Sequence, residues 1–210
     1  TAEARDEARR FWRQARTDAL TRLPNRRFLE EELPLCLAAV SASQPLVVAI
    51  VDADHFKRVN DRFSHGVGDR VISELGGVLE EGLPGQVDGA LPRRSFVARL
   101  GGEEFLVVLP GLDVAAATAV LEAMRDAVAR HDWAPLVGAL PLTVSIGASR
   151  ALAHDAPSEL MARADHSLYM AKAAGRNRVV ADASPSGPRS TASGSRSPQR
   201  SARTLSGVRP

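Results

Sequence analysis

Cysteine occurs once in this chain, at Cys36, so no internal disulfide framework can form and a reducing, cytoplasmic setting is the expected one. No apolar stretch approaches the roughly 18 residues that a membrane-spanning helix needs, so no membrane contact is expected from this segment. His55, His65 and His166 have neither i, i+4 spacing nor cysteines beside them, which argues against zinc. Acidic residues are missing from positions 183–210, which hold five arginines among Ser, Pro and Gly; with the whole chain at +2, the preceding residues carry −3. The pI near 9.2 is therefore partly a property of the tail and does not argue for nucleic-acid binding by the folded part. The tail, residues 182–210, has almost nothing to bury and is expected to be disordered: a solvated extension, or a weak contact for an anionic partner.

What is present suffices for one domain. A chain of 210 residues with 44% hydrophobic content can bury a full core. The pattern predicts helices from about Gly68 to Glu80, Val114 to Arg130 and Ser158 to Ala174. Strands are expected over Pro45 to Val51, Phe96 to Leu100, Glu104 to Leu109, Leu142 to Ser149 and Arg178 to Ala181. The fold class expected is an α/β (α+β) sandwich with a mostly antiparallel central sheet flanked by helices. In front of it, residues 1–17 form a charged, helix-prone segment in which Ala4, Ala8, Phe11 and Ala15 draw a narrow apolar stripe. That stripe reads equally as a signal-relaying or dimerising helix and as a segment packing back on the domain through Phe11 and Trp12.

The chemistry is concentrated at two strand ends. Arg99-Leu-Gly-Gly-Glu-Glu-Phe105 runs straight into the apolar Leu106-Val-Val-Leu109, putting two adjacent carboxylates at a hairpin tip. Glu103 and Glu104 are expected on opposite faces of the strand that follows, and Gly101 and Gly102 let the chain turn and a bulky ligand approach. The apolar run Pro45–Val51 ends in Asp52-Ala-Asp54, with both aspartates on one face by the period of two. Acidic strand ends side by side suit Mg²⁺, which prefers oxygen ligands and is held by one or two carboxylates plus substrate phosphates. The quartet thus predicts a nucleoside triphosphate rather than a standalone metal.

Four ordered blocks then carry a resemblance. Asp18-Ala-Leu-Thr-Arg-Leu-Pro-Asn-Arg-Arg27 is similar to D-x-L-T-x-L-x-N-R-R; Asp52 to Asp69 is similar to D-x-D-x-F-K-x-x-N-D-x-x-x-H-x-x-G-D. Gly101 to Phe105 is the Gly-Gly-Glu-Glu-Phe variant of a five-residue signature, and Ala164 to Asn177 is similar to A-D-x-A-L-Y-x-A-K-x-x-G-R-N. Together they resemble the GGDEF domain of diguanylate cyclases, over residues 18–181, with a sheet like the nucleotidyl cyclase palm.

The resemblance implies condensation of two GTP into cyclic di-GMP with release of two pyrophosphates, a nucleotidyltransferase reaction. It implies Mg²⁺, with Mn²⁺ the alternative, on Asp52, Glu103 and the Ala53 carbonyl, and Glu104 as general base or further ligand. Asn60 and Asp69 match the pair that reads guanine, whose Watson–Crick edge offers N–H donors that a carboxylate accepts. His55-Phe56-Lys57 match the phosphate-holding turn, and Lys172 with Arg176 match the cations on the triphosphate. His65 and Arg99 match recurrent positions.

It further implies a second GGDEF domain facing the first, and an upstream sensor outside this chain, which opens on Thr1. Plainer readings stand beside these. Asp18 with Leu20 and Leu23 can cap and staple a turn, and Lys172 and Arg176 near Gly175 also suit a helix C-terminus. A catalytically idle GTP-binding or protein-interaction module is the alternative function. One departure concerns the product-inhibition motif R-x-x-D: its positions hold Pro92 and Ser95, so feedback there is expected to be lost, with Arg93 and Arg94 read as loop charges after a Gly/Pro-rich loop over residues 81–92.

Overall fold

The computed structural model of the chain describes residues 7, 11–12, 14–84 and 94–182. Most of the expected helix over residues 1–17, the loop from 85, Pro92 and Arg93, and the tail from 183 lie outside the described residues.

The core is one five-stranded sheet in the order β2-β3-β1-β4-β5. β1 (Leu46–Ala53) is buried along its whole length, as its near-continuous apolar run requires of a central strand covered on both faces. It pairs antiparallel with β3 (Glu104–Pro110) on one side and β4 (Val144–Arg150) on the other. β2 (Phe96–Gly101) forms an antiparallel hairpin with β3, with an irregularity between Arg99 and Gly101, and β5 (Val179–Asp182) lies parallel to β4. The mostly antiparallel sheet is the one the sequence predicts.

Helices cover both faces. Val47, Val51, Phe105 and Val107 point into the core beneath α2 (Phe56–Phe63), α3 (His65–Glu81), α4 (Val114–Arg130) and the short α5 (Ala134–Val137). Val48, Ile50, Leu106 and Val108 point the other way, towards α1 (Arg26–Ala38) and α6 (Pro157–Ala173). α1 starts at Asn25, whose Oδ1 accepts from the Phe28 N–H at 3.0 Å, and buries Leu29, Leu33 and Cys36. Burial pushes the Cys36 thiol up to about 11, which makes it an inert core group.

α6 rests directly on β4. A Cβ at Gly147 would lie 2.0 Å from the Leu168 N and 2.4 Å from the Ala164 carbonyl, so glycine is what lets the helix backbone approach the sheet. Closeness here matters because α6 carries Lys172 towards the strand ends.

At the N-terminal edge, residues 11, 12, 14 and 15 are helical, and the Phe11 and Trp12 side chains are mostly exposed. Arg16 anchors this segment. Its guanidinium lies 4.0 Å from the Trp12 ring centroid and 4.7 Å from that of Phe28, and Nη2 pairs with Glu32 at 2.6 Å and Glu31 at 3.1 Å.

Three local expectations change. Phe56 and Lys57 are not a turn but the first residues of α2; the turn is at 54–55, with His55 at φ 57°, and Phe56 is buried because it faces the core. Glu103 is not on a strand: the hairpin turn takes Gly102 and Glu103, so only Glu104 belongs to β3. α1, α2 and α5 escape the pattern analysis, α1 because three consecutive glutamates and Pro34 break its apolar period.

Candidate functional site

Strand register builds the centre of the site. Asp52 lies directly opposite Glu104 in the β1–β3 ladder, the last pair before the strands part. By alternation both side chains leave the sheet on the face that carries α6. From the last turn of that helix Lys172 reaches down, its Nζ 2.8 Å from Asp52 Oδ2. The plainer reading, a cation placed for the helix dipole, is compatible with this ion pair.

The electrostatics follow from the crowding. Burial raises the Asp52 carboxyl above its ordinary value; the Lys172 ammonium opposes this, and Glu103 and Asp54 add to it. Glu104 is raised too, by partial burial first and then by the Asp52 charge, with Lys172 again opposing. Carboxyls that resist ionisation at one end of a sheet are groups that a cation would stabilise. The donor set fits a divalent ion shared with a ligand. Among the described residues no three metal-ligating side chains converge into a closed cage, whereas Mg²⁺ needs only one or two carboxylates when phosphates complete its shell. Ala53 sits beside them, its N–H donating to the Glu103 carbonyl at 3.3 Å and fixing the turn against the end of β1.

The tip is braced from below. Arg99 donates through Nε and Nη2 to the Gly102 carbonyl at 3.2 and 2.9 Å, while Nη1 pairs with Asp18 Oδ1 at 3.0 Å. Asp18 also accepts from the Thr21 N–H and hydroxyl at 2.9 and 2.8 Å, so its turn-capping role and its link to the site coexist. Burial alone would raise the Asp18 carboxyl; the Thr21 hydrogen bonds and Arg99 outweigh it and hold it below the usual range.

Asp54 turns out differently from its place in the acidic quartet. Oδ1 accepts from the Ser145 hydroxyl at 2.6 Å, and Oδ2 from the Thr143 hydroxyl at 2.7 Å and the Asn177 N–H at 3.1 Å. Both of its oxygens are thus engaged by donors from the protein. Thr143 and Ser145 are partners of Asp54 that the sequence does not signal, since nothing marks a hydroxyl at a strand end as a partner for an aspartate far away in the chain.

On the other side of β1, α2 and α3 meet in a corner. His55 and Lys57 are exposed at the start of α2, whose first N–H groups have no intrahelical acceptor. Half-buried Asn60 and exposed Asp69 project from the two helices, and His65 is exposed at the first residue of α3. Gly68 makes room: a Cβ there would lie 2.0 Å from Asn60 Oδ1. Arg176 follows α6 in a tight turn with φ 62°, half-buried.

The family described as "Diguanylate cyclase, GGDEF domain" matches residues 15–178. Among curated proteins the chain is 39% identical over 166 residues to diguanylate cyclase DgcP of Pseudomonas aeruginosa, covering 79% of this chain and 24% of that one. It is 37% identical over 171 residues to the response regulator PleD of Caulobacter vibrioides, covering 80% and 36%. The chain thus spans a quarter to somewhat over a third of these relatives' length. Among solved structures, the coiled coil and GGDEF domain of DgcB from Caulobacter crescentus, in complex with c-di-GMP, aligns with a TM-score of 0.76 at 31% identity, over 86% of this chain and 93% of that one. Diguanylate cyclase SiaD of Pseudomonas aeruginosa, in complex with its activator SiaC, aligns at 0.74 with 34% identity, over 86% and 67%. A match across nearly all of the sheet and helices that frame Asp52, Glu104 and Lys172 has one consequence: the chain belongs to the GGDEF-domain family of diguanylate cyclases.

Proposed function

We propose that this domain is the catalytic module of a diguanylate cyclase, condensing two GTP into cyclic di-GMP and releasing two pyrophosphates. The observation that carries the reading is the Asp52–Glu104 cross-strand pair with Lys172 on Asp52, an arrangement suited to a phosphoryl centre. In each half-reaction a 3′-oxygen forms a bond to an α-phosphorus. The bond from that phosphorus to the β-bridging oxygen breaks, pyrophosphate leaves, and the 3′-hydroxyl proton passes to a base.

Glu104 suits that base. It stands at the strand start, where partial burial and then the Asp52 charge raise its proton affinity above that of an ordinary carboxylate. Asp52, the Ala53 carbonyl and Glu103 would hold Mg²⁺ or Mn²⁺, which when bound neutralises charge on the phosphoryl oxygens. Lys172 shares its charge between Asp52 and the phosphates, and Arg176 approaches them from the turn after α6. The first N–H groups of α2, at Phe56 and Lys57, with His55 beside them, form an anion-binding end for the triphosphate. Asn60 and Asp69 read guanine, with His65 on the rim.

One domain of this kind binds one nucleotide, so the reaction needs a second copy facing the first; an upstream sensor would bring the two together. The test is to incubate the chain with GTP and Mg²⁺ and to identify products by mass, with Glu104→Ala alongside. Cyclic di-GMP from the wild-type chain alone supports the reading. GTP bound but unconverted at every protein concentration makes the chain a binding module instead.

A further inference from the structure

Asp54 is buried, and among the described residues no lysine or arginine pairs with it, yet three donors from two distant segments converge on its carboxylate. Its own N–H donates to the Thr143 carbonyl at 2.8 Å, so the residue is clamped against the start of β4. A buried carboxylate without a cation is costly, and its position suggests what it is for.

The third donor is the backbone of a strained turn. Gly175, Arg176 and Asn177 follow one another at φ 112°, 62° and 45°, and two of the three are L-residues in the left-handed region. Such a run persists only where its surroundings hold it. Within the C-terminal part of the chain the Arg176 N–H donates to the Ala171 carbonyl at 3.0 Å, and Asn177 Oδ1 accepts from Arg125 at 2.8 Å. Besides the Lys172–Asp52 ion pair at the end of α6, the hydrogen bond from the Asn177 N–H to Asp54 Oδ2 ties the turn itself to the β1 end of the site.

Asp54 also immediately precedes His55 and the N-terminus of α2. It is therefore bonded covalently to one arm of the phosphate cradle and by hydrogen bond to the other, the turn that carries Arg176. We infer that Asp54 is a positioning residue that sets the spacing between these two arms, so that the N–H groups of α2 and the Arg176 guanidinium meet one triphosphate. The inference rests on the cyclase reading above.

The test compares affinities for GTP, which uses the cradle, and guanosine, which uses only the base-reading corner, by calorimetry or NMR titration with Mg²⁺ present. Asp54→Ala is expected to weaken GTP about tenfold, leave guanosine within about twofold, and speed hydrogen exchange at the Asn177 amide. Asp54→Asn keeps the shape with one acceptor oxygen instead of two, preserves folding, and should fall between wild type and alanine. GTP affinity unchanged in both Asp54 variants, or GTP and guanosine falling in parallel, overturns the positioning role while leaving the cyclase reading intact. Failure of the wild-type chain to bind GTP overturns the cyclase reading and this inference with it.

Discussion

Arg99 joins Asp18, at the entrance of the domain, to the carbonyl of Gly102 in the turn that carries Glu103. Residues 81 apart in sequence thereby fix the hairpin tip to the segment that follows helical residues 14 and 15.

Arg99→Ala is accordingly expected to do two things. It leaves the Asp18 carboxylate and the Gly102 carbonyl short of a donor, which costs about 1–2 kcal/mol of stability. It also frees the tip, and cyclase turnover should fall about tenfold or more, since misplacing a reacting group by an ångström is that costly. Thermal unfolding and initial rates check both; a stable variant with wild-type turnover contradicts the bracing role.

Gly68→Ala separates stability from specificity. Alanine in a helix gains about 0.5–1 kcal/mol over glycine in propensity, which offsets part of the local clash. The new methyl must nonetheless displace the Asn60 amide, whose oxygen lies 2.0 Å from where it would sit. We expect a folded protein with KM for GTP raised about tenfold and reduced preference for GTP over ATP. Steady-state kinetics with the two nucleotides read this; an unchanged preference removes Asn60 from base reading.

Lys172→Met strips Asp52 of the cation that opposes its raised proton affinity. The acidic limb of the pH–rate profile should move to higher pH, and the rate at neutral pH should drop by about 10²-fold. A drop in rate with the limb unmoved would confine Lys172 to the phosphates.

How much of this could be read from the chain depends on whether a residue's role is local. The β1 and β3 runs are short, apolar and β-branched, so the antiparallel centre of the sheet and the two acidic strand ends are legible from period and composition alone. Val114–Arg130 and the strand at Phe96 are found nearly to the residue for the same reason. The Asp54 network is not legible, because hydroxyls at 143 and 145 and an amide at 177 become neighbours of residue 54 only when β4 docks beside β1. Nor is the Glu103 turn: a one-residue difference in hairpin register decides whether it faces a layer of helices or caps the tip, and sequence alternation does not fix that register.

Titration of stability should show two opposed signs. Asp52 and Glu104 are raised above their ordinary 3.8 and 4.5, by burial first. The folded state therefore binds these protons more tightly, and the stability they contribute is complete below those values and lost as pH rises through the raised ones. Asp18 is lowered, so its contribution is present above 3.8 and lost as pH falls through its folded value. Glu104→Gln removes one term: without nucleotide or metal it should melt on the order of 1 °C higher than wild type at neutral pH, with a flatter decline just above pH 4.5. Identical melting curves across that range would contradict the crowding of the acidic pair.

The most direct measurement is the rate of cyclic di-GMP formation per chain from GTP and Mg²⁺ across a series of protein concentrations. A specific rate that climbs with concentration and vanishes in Glu104→Ala is what a cyclase that needs two facing domains predicts. A specific rate independent of concentration would contradict the two-domain requirement, and the absence of cyclic di-GMP at every concentration would contradict the assignment of catalysis to this domain.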